Sequence, residues 1–133
     1  MVLIYFCTES CGFNVKQLVF EKAALKHNIA AIRERAGEAA IFAVLAGDGY
    51  GAGLIELARF LRAEGIDRFA VDEPEDVRRL RDAGFQDEPV LMLRSTADRG
   101  ELETLLGQRA ICTIGSYETG TALNAVADAL GVQ

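Results

Sequence analysis

Val44-Leu45-Ala46-Gly47-Asp48-Gly49-Tyr50-Gly51-Ala52-Gly53 joins an apolar run, residues 41–45, to a segment with leucines at 54, 57 and 61. The run is short and apolar on both faces, as a buried parallel strand is. The segment after it carries its leucines at helical spacing and closes at Gly65, a helix with a glycine stop. Between them stand glycines at 47, 49, 51 and 53. They allow a tight turn in backbone regions that side chains disfavour. This stretch is one βα unit, and the rest of the chain repeats it.

Downstream, strands are expected at 68–71, 89–93 and 110–114. With the strand at 41, they recur about every 20 to 27 residues, the period of βα repeats forming a parallel sheet with right-handed crossovers. Glu73-Pro74-Glu75-Asp76 opens the next helix, with proline and acids in the first turn, and Gly84 ends it. Asp98 is placed to cap a helix from about 99 to 106, and Ser116 or Thr119 begins a last helix ending at Gly131. Upstream, residues 1–8 and 17–21 read as strands. A helix is expected over 22–36, with Leu25, Ile29, Ile32 and Ala36 on one face and Gly37 as its stop. Nothing in the composition marks a linker, so residues 1–133 read as a single domain.

The bulk numbers narrow the function. Half the residues are hydrophobic and the net charge is −6, which gives a nucleic-acid role no basic surface. The arginines are interleaved with acids, as in Arg78-Arg79-Leu80-Arg81-Asp82, the pattern of a solvated helix face. The start lacks the charged residues and long apolar region of a secretion signal, and no run is long enough to span a membrane. A soluble, cytoplasmic protein is expected. Cys7, Cys11 and Cys112 read as free thiols. With one histidine in the chain, the ligand set of a Cys7–Cys11 metal site is hard to fill.

The glycine stretch resembles the signature of the alanine racemase family, in which the first barrel strand ends in Lys-x-(Asn/Asp)-x-Tyr-Gly-x-Gly. Further co-linear matches follow. Leu25-Lys26-His27-Asn28 resembles the Leu-x-His-Asn of the family's first helix, and Leu80-Arg81-Asp82-Ala83-Gly84 its Leu-Arg-x-Ala-Gly. Phe69-Ala70-Val71 and Pro89-Val90-Leu91-Met92-Leu93 are similar to its next strands. The resemblance covers about residues 18–131 and leaves 1–16 outside. It implies an α/β fold that is half of a TIM (β/α)8 barrel, with four βα units plus an extra N-terminal strand or hairpin. The functional face would lie at the strand C-termini. The alternative is an open five-stranded flavodoxin-like sheet, since five strands followed by helices suit that fold too.

The resemblance also implies pyridoxal phosphate as cofactor, held by the family's lysine as a Schiff base. Ala46 occupies that lysine position, so covalent binding is not expected and no catalytic residue is assigned. The chain's lysines, Lys16, Lys22 and Lys26, all precede the glycine loop. In the family the matched tyrosine reaches the cofactor phosphate, which makes Tyr50 a candidate ligand. The amides of Gly49 and Gly51 are candidates to cradle the same anion, and Arg94 at a strand end is a further one. Asp48 reads as a turn cap, His27 as packed or capping, Ser116 as a helix cap, and Glu73 and Asp76 as first-turn acids.

Three readings of function follow. One is a truncated or degenerate racemase domain, inactive alone, with at most weak non-covalent binding of pyridoxal phosphate or phosphate. Another is a half-barrel scaffold or oligomerisation module, natural or engineered, with no ligand. The last is a lysine-substituted racemase that needs a further chain. Half a barrel leaves two sheet edges open, and open edges must be paired or covered. A homodimer or higher homo-oligomer is therefore expected.

Overall fold

The computed structural model describes residues 21–132 and the backbone of 4–6 and 17–19. The sequence reads as one domain, whereas the backbone divides into two compact units, Met1–Ile41 and Phe42–Gln133. In the first unit, β1 (Ile4–Phe6) pairs antiparallel with β2 (Gln17–Val19), Ile4 opposite Val19. Helix α1 (Lys22–Ala36) has the expected bounds and closes at Gly37, whose N–H donates to the Arg33 carbonyl. Of its expected apolar face only Ile29 is buried, and Ile32 is exposed. Cys7 and Cys11 lie outside the described residues.

The second unit contains a parallel four-stranded sheet with alternating helices. Its strands are β3 (Ala43–Val44), β4 (Phe69–Val71), β5 (Val90–Met92) and β6 (Ile111–Cys112), side by side in chain order. A short turn, α2 (Ala46–Tyr50), and helices α3 (Leu54–Ala63), α4 (Pro74–Asp82), α5 (Arg99–Gly107) and α6 (Tyr117–Leu130) follow the strands. This is the α/β arrangement of a barrel half. A flavodoxin-like sheet would insert the first strand among the others, but β1 pairs with β2 and takes no part in the four-stranded sheet.

Sequential order with right-handed crossovers carries the connecting helices α3, α4 and α5 to one face of the sheet. The register identifies the two faces. Phe69 lies opposite Val90, and Val71 opposite Met92; all four are buried, and they form the helix-covered face. Phe85, after α4, meets Phe69 edge-on with ring centroids 5.4 Å apart. The alternate row runs Val44–Ala70–Leu91–Ile111. At the sheet margins its side chains are open, with Val44 38% and Ile111 46% exposed. This is the face a closed barrel turns inward.

The helix ends follow the sequence signals. Asp98 caps α5 by accepting from the Glu101 N–H at 2.9 Å. Ser116 and Thr119 form a reciprocal capping box on α6, which ends at Gly131 in the left-handed region. Arg81, in the last turn of α4, is only 6% exposed. Its guanidinium donates to the carbonyls of Phe85, Glu88, Gln108 and Arg109. It ties together the loops entering β5 and β6, at the end of the sheet opposite the glycine turn.

Candidate functional site

Strand β3 ends where the Leu45 N–H donates to the Ala70 carbonyl at 2.7 Å, and the next residue is Ala46. Strand alternation puts Ala46 on the side of Val44, the open face, at the strand's C-terminal end. That is where barrel folds carry their chemistry. The backbone then coils the opposite way from an ordinary helix. Gly47, Asp48, Gly49, Tyr50 and Gly51 have φ values of +60°, +53°, +65°, +57° and +83°. Five successive left-handed residues are disfavoured for side chains, and glycine at every second position reduces that cost. Gly49 has a further role. A Cβ added there would stand 3.3 Å from Leu57 Cδ2, so its bareness lets the turn seat on α3.

The turn satisfies its own amides. The N–H groups of Gly49 and Gly51 donate to the carbonyls of Leu45 (2.9 Å) and Gly47 (3.2 Å). Those of Ala52 and Gly53 donate to Gly49 and Asp48. The expected anion cradle of Gly49 and Gly51 amides therefore meets an obstacle, because those donors are already used and the glycines act through shape. Tyr50 is 54% exposed, and its hydroxyl has no hydrogen bond among the described residues.

Asp48 does cap, as the sequence suggests. Its Oδ1 accepts from the Leu54 N–H and from Arg79 Nη2, both at 3.1 Å. The Leu54 amide foremost, and then Arg79, hold its carboxyl below the usual range. Arg79 Nη1 also donates to Asp76 Oδ1 at 2.9 Å.

Arg94 is brought to the same end of the sheet, where each of its nitrogens is engaged. Its Nε donates to the Asp72 carbonyl at 3.0 Å, both terminal nitrogens pair with Glu101, and Nη2 also reaches Glu73 at 3.2 Å. Glu101 and then Glu73 raise the arginine's pKa, and Arg94, followed by Thr96, lowers that of Glu101 to about 2. Strand alternation explains the outcome. Leu93 falls on the open face and Arg94 on the helix side, beside the first turn of α5. The expected anion ligand is here a cross-link between β4, β5 and α5.

His27 is exposed on α1 rather than packed. Burial raises the pKa of the half-buried Cys112 thiol. Among the described residues no group of three metal-binding side chains exists, and no helix is long and apolar enough to cross a membrane. Two site residues escaped the sequence reading. Arg79 lies 31 positions from Asp48, inside a run with the pattern of a solvated face, and no local signal marks it. Asp72 follows β4 on the open-face alternation, which could have marked it; its Oδ1 is buried without a hydrogen-bond partner among the described residues.

The family model for the alanine racemase N-terminal domain matches residues 21–133. The chain belongs to this family. It is 40% identical over 96 residues to the alanine racemase of Nitrosomonas europaea, covering 72% of this chain and 26% of that protein. To the biosynthetic alanine racemase of Salmonella typhimurium it is 35% identical over 109 residues, covering 82% of this chain and 30% of that protein. The solved alanine racemase of Clostridium difficile 630 in complex with cycloserine superposes with a TM-score of 0.73 at 30% identity, over 80% of this chain and 29% of that one. The four-stranded sheet is thus the N-terminal barrel portion of the family, and the chain spans under a third of the length of these relatives.

Proposed function

We propose that this chain is an alanine-racemase-type half-barrel that does not racemise amino acids by itself. Its contact with pyridoxal phosphate, the cofactor implied by the family, is limited to weak, non-covalent binding at Tyr50. The observation that carries this reading is Ala46, at the open-face end of β3, where the family pattern has its lysine.

The residues present fit the cofactor poorly. Covalent attachment needs an amine at this end of the sheet, and no lysine occurs among residues 42–133, which form the sheet and its helices. A phosphate needs several donors or free cations. The amides of Gly49 and Gly51 are used inside the turn. Arg79 is held by Asp48 and Asp76, and Arg94 by Glu101 and Glu73. In the glycine turn Tyr50 offers its exposed hydroxyl, and no catalytic step is assigned through the cofactor.

Borohydride reduction after incubation with equimolar pyridoxal phosphate tests the reading by intact mass. The parent gains no cofactor mass and Ala46→Lys gains one equivalent. Covalent labelling of the parent, or interconversion of L- and D-alanine by it, overturns the proposal. Failure of Ala46→Lys to label overturns the placement of Ala46 at the anchor position.

A second reading is favoured by the open face, where Val44, Ile111 and the 40%-exposed Leu93 are apolar. Here the half-barrel self-associates, in a homodimer or larger assembly, as a scaffold with no ligand. Light scattering at micromolar concentration giving a monomer rejects it. In a third reading, the rest of a racemase site comes from a further chain.

A further inference from the structure

We infer that Arg79 is a positioning residue for Tyr50, clamping the left-handed turn to helix α4 and so fixing the backbone from which the tyrosine projects. The inference rests on the reading of Tyr50 as the surviving phosphate contact. Gly49 and Gly51 flank Tyr50, so neither neighbour has a side chain to hold its backbone. Two anchors secure the turn. One is the seat of Gly49 on Leu57. The other is Asp48 Oδ1, which takes the Leu54 N–H from α3 and Arg79 Nη2 from α4, each at 3.1 Å.

The guanidinium is aimed from the far side. Its Nη1 donates to Asp76 Oδ1 at 2.9 Å, and Asp76 is buried in the first turn of α4. A rigid element of one βα unit thereby reaches the catalytic-end turn of the unit before it. Asp48 and Arg79 are both about half exposed, so the clamp is an electrostatic contact open to salt. It acts on placement of the turn, not on stability of the sheet.

Amide hydrogen exchange and the Tyr50 ring signal by NMR test this in the parent, Arg79→Gln and Arg79→Lys. In Arg79→Gln the Gly49 and Gly51 amides exchange about two- to fivefold faster and the ligand-free Tyr50 ring signal shifts. The Val71 and Met92 amides do not change. Arg79→Lys restores part of the protection, and roughly 1 M salt reproduces the Arg79→Gln pattern in the parent. Should Arg79→Gln fail to fold, Asp48→Asn removes the charge but keeps the acceptor for Leu54, and the same pattern is expected.

Unchanged exchange at Gly49 and Gly51, or uniform acceleration that includes Val71 and Met92, overturns the inference. Titrations with pyridoxal phosphate and with inorganic phosphate, read at the Tyr50 ring, separate it from the functional proposal. If neither moves the ring signal in the parent, the phosphate reading fails, and exchange still decides the role of Arg79. If a ligand moves it equally, at equal concentration, in the parent and in Arg79→Gln, the positioning role is refuted.

Discussion

Replacing Arg81 by methionine tests what secures the end of the sheet away from the glycine turn. Methionine keeps much of the apolar stem and removes every donor. The carbonyl of Phe85 sits in a buried contact, while those of Glu88, Gln108 and Arg109 are partly buried. A buried acceptor left unpaired costs about 1–3 kcal/mol. The partly buried ones regain water and lose less, about 0.5 kcal/mol each on the scale of an ordinary net hydrogen bond. Burial of the guanidinium opposes these gains, and it also pulls the arginine's pKa down. The net loss for Arg81→Met is about 3 kcal/mol, within the range of buried networks broken on one side.

Urea denaturation followed by circular dichroism measures it. At a slope of about 2 kcal/mol/M, the midpoint falls by about 1.5 M with the slope unchanged. Arg81→Lys recovers under half of this, because an ammonium is a compact donor and cannot fan out to four carbonyls. Arg78→Ala is the control: its ion pairs with Glu75 and Asp82 are exposed, and its midpoint stays at the parent value. A midpoint for Arg81→Met equal to that of the parent would falsify the argument, since the carbonyls would then need no donor.

Three further outcomes are expected. Gly47→Ala loses about 1 kcal/mol from left-handed strain alone, there being nothing within 4 Å of the added Cβ; Gly49→Ala adds a tight 3.3 Å contact with Leu57 and loses about 2 kcal/mol, and equal urea midpoints for the two would remove the seating role of Gly49. Phe85→Ala empties a site that is 0% exposed, beneath the Arg62 guanidinium at 4.2 Å; it costs about 3–5 kcal/mol, and a thermal shift under a few degrees contradicts it. Glu101 has its folded pKa depressed to about 2 by Arg94, so its contribution is present above the ordinary carboxylate range and lost as pH falls from about 4.5 towards 2. The stability gap between the parent and Glu101→Gln, wide at pH 6, therefore narrows across that window, and a constant gap refutes the pairing.

Much of the fold was legible because its signals are local. Gly37, Pro74, Asp98, Ser116 and Gly131 bound helices within one or two residues of the expected places. The apolar runs gave the strands, overlong by one or two residues at most ends, since a buried run continues beyond its last ladder bond. The turn at 46–50 was legible as glycine-rich but not as left-handed, because composition permits positive φ without requiring it. Side-chain pairing was the least legible. Arg94 was expected to face an anion, but its partner Glu101 stands seven residues on in the first turn of a helix. Only the alternation of β5 past its last paired residue decides which side the guanidinium takes.

The same alternation separates stability from chemistry in this sheet. Residues of the helix side, Phe69, Val71, Val90 and Met92, are buried, whereas the other face opens at its margins at Val44 and Ile111. Ala46, Asp72 and Leu93 share the open face at the C-terminal strand ends, and no core contact fixes their identity. Substitution at those positions is expected to cost folding little. Ala46 can therefore stand where the family pattern has lysine while the sheet, the Ser116–Thr119 capping box and the left-handed turn are intact. The glycines keep the turn because its shape seats on Leu57 and carries Asp48 to Arg79, reasons independent of any cofactor. The loop's shape thus stands without an amine at position 46, and Ala46→Lys is the substitution that asks whether an amine there would be presented at the strand end.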